Sequence, residues 1–217
     1  MATPKAQRIA IWIIAIVMTV GTIGSFLVII LGNKNTQTDQ QRINELSTAY
    51  QKEYAAYQAK VDKQSKELSD KYYTEFSSYS TRPSAFDGSA VKDLATTDLK
   101  VGDGEDIKAD TAYSAYYIGW NPSGKVFDQS IDNGTLKAPI EGGNLIEGWN
   151  KGVIGMKVGG VREITIPSAQ AYGEAGSGTD IPPNTPIKFV VMIIPKPEKL
   201  SAPEPSAELL RYYYGQQ

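Results

Sequence analysis

The chain contains neither histidine nor cysteine. It therefore has no imidazole base, thiol nucleophile, disulfide or zinc site of the usual kind. What remains is carboxylate, lysine, hydroxyl or tyrosine chemistry, or catalysis that moves no proton. The stretch best suited to hold a substrate is Leu145 to Gly160, where Trp149 sits in the middle of a short apolar helix bounded by glycines. Leu145 and Ile146 lie just before it, and Val153 comes one helical turn after it on the same face. Asn144 is the expected N-cap, with Gly152 and Gly155 as stops, which gives a helix of about two turns. Around that indole the second half of the chain builds a pocket. Phe127-Asp128 follows the turn Asn121-Pro122-Ser123-Gly124, and Tyr172 precedes the glycine-rich stretch Glu174 to Asp180.

A helix so short cannot stand alone and must lie across a sheet. Ala112 to Gly119, Val161 to Ile166 and Ile187 to Ile194 are β-branched and aromatic runs bounded by turn residues, which read as its strands. The fold class is α+β, one short helix on one antiparallel sheet. The net charge of −2 gives no electrostatic reason to expect nucleic acid as a partner.

The elements before this domain carry a different composition. After a short N-terminal segment, 1–8, residues 9–31 are an uncharged apolar run, long enough to cross the roughly 30 Å hydrocarbon core of a bilayer as a transmembrane helix. The run continues past Gly24-Ser25 through Phe26 to Ile30, as an uncleaved anchor would and a signal peptide would not. The α-amino group, Lys5 and Arg8 outweigh Lys34 and Arg42, so the N-terminus is expected in the cytoplasm and the rest outside the cell membrane.

Residues 38–80 lack Pro and Gly and read as one long helical stalk. Ile43, Leu46, Tyr50, Tyr54, Tyr57, Val61, Leu68, Tyr72 and Phe76 recur at three, four, four, with Ser65 in the remaining place. That eleven-residue period keeps one stripe on a nearly straight helix. The stripe serves self-association as a coiled coil, docking of a partner, or a spacer that rests on the chain's own domain; tyrosines dominate it and Leu and Ile are sparse, which favours a spacer or docking within the chain. Arg82-Pro83 breaks the helix, and 81–97 is expected as a linker ahead of a domain over 98–196. The tail, 197–217, carries a short helix that Ser206 is placed to cap.

Taken together, Tyr117-x-Gly119, Phe127-Asp128, Gly148-Trp149, Ala171-Tyr172-Gly173, Ile181-Pro182-Pro183 and Phe189 resemble the motifs of the FKBP-type peptidyl-prolyl isomerases, in order, over about residues 98–196. The resemblance implies an FKBP-like antiparallel sheet wrapped on the short helix, and a proline pocket with Trp149 as its floor. Its walls would be Tyr117, Phe127, Leu145, Ile146, Tyr172, Ile181 and Phe189. Leu136 would stand where the family usually has an aromatic residue, in a loop from Gln129 to Pro139 that is one residue short. By the same resemblance, the Ile146 N–H and the Tyr172 hydroxyl hold substrate carbonyls, while Asp128, tied to Tyr117, lies against the twisted amide. Ser177 and Asp180 make the rim more polar than in the family. No cofactor or metal is implied, and the partners would be proline-containing polypeptides.

Those residue types suit the reaction. Rotation about an X-Pro bond breaks amide resonance against a barrier of about 18–20 kcal/mol, and the planar form is the more charge-separated and better hydrated. An aromatic box disfavours the planar form relative to the twisted one, and only that preference accelerates rotation. Neither a nucleophile nor a base is required. The alternative is a non-catalytic, membrane-tethered module that uses the same pocket to bind proline or to assemble a complex.

Overall fold

The computed structural model describes residues 36–214. They fall into two compact units, one from the described parts of 1–54 and 203–217, the other spanning 55–202. The expected transmembrane run, 9–31, lies outside the described residues. Among the described residues no helix is long and apolar enough to cross a membrane.

Helix α1 runs from Thr36 to Ser77. Every place in its stripe, Ser65 included, is at least partly buried, while the residues between are mostly exposed. Toward the C-terminal end the stripe meets the sheet. Phe76 is fully buried, and Leu68, Tyr72 and Tyr73 pack into the same cluster as Tyr116, Ile118, Trp120, Val190 and Met192. The second half of α1 is thus part of the unit that holds the sheet rather than a spacer or a free coiled-coil surface. Its stripe there is occupied by the chain's own strands.

Eight strands follow: β1 (Ala95–Lys100), β2 (Tyr113–Trp120), β3 (Val126–Gln129), β4 (Ile131–Asp132), β5 (Thr135–Leu136), β6 (Ile140–Glu141), β7 (Val161–Ile166) and β8 (Ile187–Pro195). The main sheet has the order β1-β7-β8-β2-β3, with β6 pairing β2, and all its pairings are antiparallel; β4 and β5 form a separate hairpin. Alternation along β2 and β8 sends successive side chains to opposite faces. Tyr113, Ala115 and Tyr117 join Phe189, Val191 and Ile193 in one cluster, whereas Tyr116, Ile118 and Trp120 join Val190, Met192 and Ile194 in the other.

The first cluster is covered by helix α2 (Glu147–Gly152). Its N-cap is Ile146, in extended conformation with no side-chain cap, and not Asn144. The start is displaced because the chain bends at Leu145 and is extended at Ile146, with Asn150 Nδ2 donating to Leu145 O at 3.0 Å. Gly148 and Gly152 do more than end the helix. A Cβ on Gly152 would stand 2.6 Å from Ile164, and one on Gly148 would collide with Ile166. Their absence lets α2 seat directly on β7. Arg162, from the same strand, donates to Gly152 O at 2.9 Å and Ile154 O at 3.0 Å while pairing with Asp98 at 2.6 Å, a cation at a helix C-terminus.

Two boundaries differ from expectation. Strand β1 begins at Ala95, inside the stretch read as linker, and pairs with β7 from Ala95 opposite Thr165. It is a polar edge strand in which only Leu99 is even partly buried, so it lacks the apolar alternation that marks the others. The segment before it is also attached: Arg82 pairs with Glu163 at 2.6 Å and Phe86 N donates to Pro122 O at 3.0 Å.

In the other unit, helix α3 spans Ala207–Tyr214. Ser206 Oγ accepts from Leu209 N at 3.1 Å, and Glu208 receives both arms of the Arg42 guanidinium at 2.9 and 2.8 Å.

Because Phe76 is the fully buried anchor of α1 on the sheet, Phe76→Ala in the full chain is expected to cost about 3–5 kcal/mol. Denaturant unfolding followed by tryptophan fluorescence measures it; a loss below about 1 kcal/mol would show that α1 is not part of the cooperative unit.

Candidate active site

On the α2 face of the sheet four aromatic rings form a box. Phe189, from β8, is its hub: its ring centroid lies 5.1 Å from Trp149, 5.6 Å from Phe127 and 6.1 Å from Tyr117, all edge to face. Tyr117 meets Trp149 at 5.8 Å and 85°. Such T-shaped pairs match ring edges to ring faces. Leu145, Ile146, Tyr172 and Ile181 pack around the same cluster.

Gly119 makes the box possible. It stands opposite Asp128 in the β2–β3 register, beside a bulge at Trp120. A Cβ there would lie 2.5 Å from the Phe189 ring and 2.7 Å from that of Phe127.

The floor is held from below by a residue that motif reading passed over. Trp149 is 2% exposed, and its indole N–H donates to the Tyr113 hydroxyl at 3.2 Å. Alternation alone places Tyr113 on the face of Tyr117, so the signal was present in β2.

One edge of the box is polar. The Tyr117 hydroxyl donates to Asp128 Oδ2, and Asp128 Oδ1 accepts from Gln129 N at 2.8 Å. The carboxylate is exposed, at the mouth rather than in the core. Burial, then the hydrogen bond and charge of Asp128, push the Tyr117 hydroxyl far above the usual tyrosine range. Burial and the same carboxylate push Tyr172 upward too. Both phenols are therefore protonated donors at neutral pH.

The glycine-rich rim is fixed at two points. Ser177 and Ile181 exchange backbone hydrogen bonds of 2.7 and 3.3 Å, which points Ile181 inward. Asp180 receives Lys125 Nζ at 2.5 Å, and its carbonyl accepts from Asn121 Nδ2 at 2.8 Å. Asn121 also organises the expected turn, its Oδ1 accepting from Ser123 N, Ser123 Oγ and Lys125 N.

The FKBP-type peptidyl-prolyl cis-trans isomerase profile matches residues 103–194. A probable FK506-binding protein of Corynebacterium glutamicum is 39% identical over 49% of this chain and 90% of its own length. The chain belongs to the FKBP-type peptidyl-prolyl cis-trans isomerase family. A probable FKBP-type peptidyl-prolyl cis-trans isomerase of Haemophilus influenzae is 32% identical over 77% of this chain and 70% of its own length, a match wider than the isomerase domain. FK506-binding protein 4 of Rhizopus delemar is 38% identical over 46% of this chain, which spans only 26% of that protein.

Within this FKBP-type domain one expected wall residue is elsewhere. Leu136 is buried in the α1-side cluster, 5% exposed, and not in the aromatic box. The β4–β5 hairpin turns through Asn133 and Gly134, both at positive φ, and pairs Leu136 with Ile131, which packs against the same α1-side cluster. In a hairpin, a register shifted by one residue reverses which way a side chain points.

Gly119→Ala is expected to force Phe127 and Phe189 apart at a cost of about 1–3 kcal/mol and to weaken uptake of any ligand that needs the box. Thermal unfolding and titration of a proline-containing peptide against tryptophan fluorescence test this; unchanged stability and affinity would mean the rings do not need the space.

Proposed function

We propose that the chain accelerates rotation about X-Pro bonds in proline-containing polypeptides by desolvating the prolyl amide in the box of Tyr117, Phe127, Trp149 and Phe189. The observation that carries this reading is a closed aromatic site with one exposed carboxylate, Asp128, fixed by a phenol at its edge. The proline ring enters over Trp149, with Ile181 and Leu145 beside it. The Ile146 N–H, at the N-cap and outside the helix's own hydrogen bonds, and the protonated Tyr172 hydroxyl hold the flanking carbonyls. Asp128 lies against the carbonyl of the twisting bond, where it favours the form whose amide nitrogen has lost conjugation. No proton changes owner, in keeping with a chain that has no histidine or cysteine.

We further propose that 9–31 anchors the protein in a bacterial cell membrane, with the N-terminus cytoplasmic and the isomerase domain extracytoplasmic. The length and charge flanks of the apolar run support this. Protease added to intact spheroplasts should then digest the isomerase domain; full protection until lysis would reverse the orientation, and recovery of the full chain in the soluble fraction would remove the anchor.

In a protease-coupled assay on X-Pro peptides, Asp128→Ala is expected to lower kcat about tenfold, some 1.4 kcal/mol of transition-state stabilisation, with a smaller change in peptide affinity. Equal loss of both, or none, would favour the binding-module reading. The native chain should show flat kcat/KM between about pH 6 and 9, since Tyr117 and Tyr172 both titrate above that window and no histidine titrates within it.

A further inference from the structure

The hairpin that carries Leu136 away from the box sits between helix α1 and the Tyr117–Asp128 pair, and it is bonded to both. On the helix side, Ser69 is 6% exposed, and its Oγ accepts a hydrogen bond from Leu136 N at 2.8 Å. The Leu136 side chain packs in the same cluster as Phe76 and Tyr72. From Leu136 the path is short. The next amide, Lys137 N, donates to Ser130 O at 2.8 Å. Ser130, 3% exposed, is in turn bonded to Tyr117 twice: its N–H donates to Tyr117 O at 2.8 Å, and its Oγ accepts from Tyr117 N at 2.9 Å. Tyr117 then donates to Asp128.

The geometry of this path matters because Asp128 is exposed on a four-residue strand, with no partner from the core other than the Tyr117 phenol. From Ser130 to Leu136 the chain leaves β3, makes a hairpin of two-residue strands and returns. So short a hairpin does not hold itself in place. Packing of Ile131 and Leu136 in the α1-side cluster holds it there, and α1 adds one polar hold, the buried amide of Leu136. With Ser69 it has a partner; without Ser69 that amide is buried and unsatisfied, and the least costly relief is for the hairpin to lift toward water.

We propose that Ser69 is a positioning residue for the isomerase site, holding the 130–136 hairpin through Leu136 and, through Ser130, the Tyr117–Asp128 pair. This rests on the isomerase reading above and deepens it: the helix preceding the domain is part of the catalytic apparatus. Misplacing Asp128 affects the twisted amide more than the bound planar one, so the loss falls on kcat and not on KM.

The test uses the full chain and three variants. Ser69→Ala removes the acceptor, Ser69→Thr keeps a hydroxyl, and Glu75→Gln loosens α1 at another point by removing the partner of Lys100, 2.5 Å away. Amide hydrogen exchange at Leu136 and Ser130 is read beside kcat and KM on X-Pro peptides, well below each variant's unfolding temperature. For Ser69→Ala we expect exchange at both amides to quicken and kcat to fall about three- to tenfold with KM within twofold; an alteration of about 1 kcal/mol in one buried hydrogen bond corresponds to that range. Ser69→Thr should restore kcat, and Glu75→Gln should leave it unchanged. Wild-type kcat in Ser69→Ala despite quickened exchange would overturn the link to the site. An equal fall in Glu75→Gln would reduce Ser69 to a general support and overturn it too. A native chain that accelerates no peptide would instead defeat the isomerase reading, and the positioning role with it.

Discussion

A sheet that is apolar on both faces has to be covered twice, and the rest of this structure answers that requirement. Strands β2 and β8 send large side chains in both directions: Tyr117 and Phe189 one way, Tyr116, Trp120 and Met192 the other. Burying side chains of this size is worth roughly 1.5–3 kcal/mol each, so neither face tolerates water. One face is closed by α2, which comes close enough only because Gly148 and Gly152 present no Cβ to β7. The other is closed by the second half of α1. The helix that precedes the domain in sequence is as much a wall of it as any strand.

The two covers do different work. Beneath α2, T-shaped rings gather around Phe189, and the polar atoms are collected at one edge, where the Tyr117 hydroxyl donates to the exposed Asp128. Beneath α1 the packing is dense and carries Leu136, whose place in the family pattern suggested a pocket wall. Turned away, Leu136 lends the box no side chain, while the glycine-rich rim is fixed by Lys125 and Asn121 holding Asp180.

Much of this could be read before any coordinates. The alternation of β2 and β8, the placement of Trp149 and the eleven-residue stripe of α1 all follow from periods of 2.0 and 3.6, which sequence displays directly. The tyrosine content of the stripe was enough to favour docking over a coiled coil. The parts that escaped share a cause. Strand β1 is an edge strand with one half-buried apolar residue, so pattern has nothing to register. The side on which Leu136 emerges depends on a hairpin register set by Asn133 and Gly134, where one residue more or less inverts the answer. Ser69 and Ser130 are small polar residues whose buried hydroxyls each accept from a backbone amide far along the chain, 67 and 13 residues away, and no periodicity marks such a serine.

The strand order has a consequence for how the protein is made. Strand β8 lies between β7 and β2, yet it is the last strand synthesised. Until residues 187–195 leave the ribosome, β1 and β7 have no link to β2 and β3, and α1 has no finished surface to rest on. The helix waits while about a hundred further residues are translated, several seconds at ordinary elongation rates. A leucine-rich stripe would be a hazard over that interval. One that mixes four tyrosines and a serine with its apolar residues is amphipathic enough to stay hydrated, and becomes a core only when the strand that completes the sheet arrives.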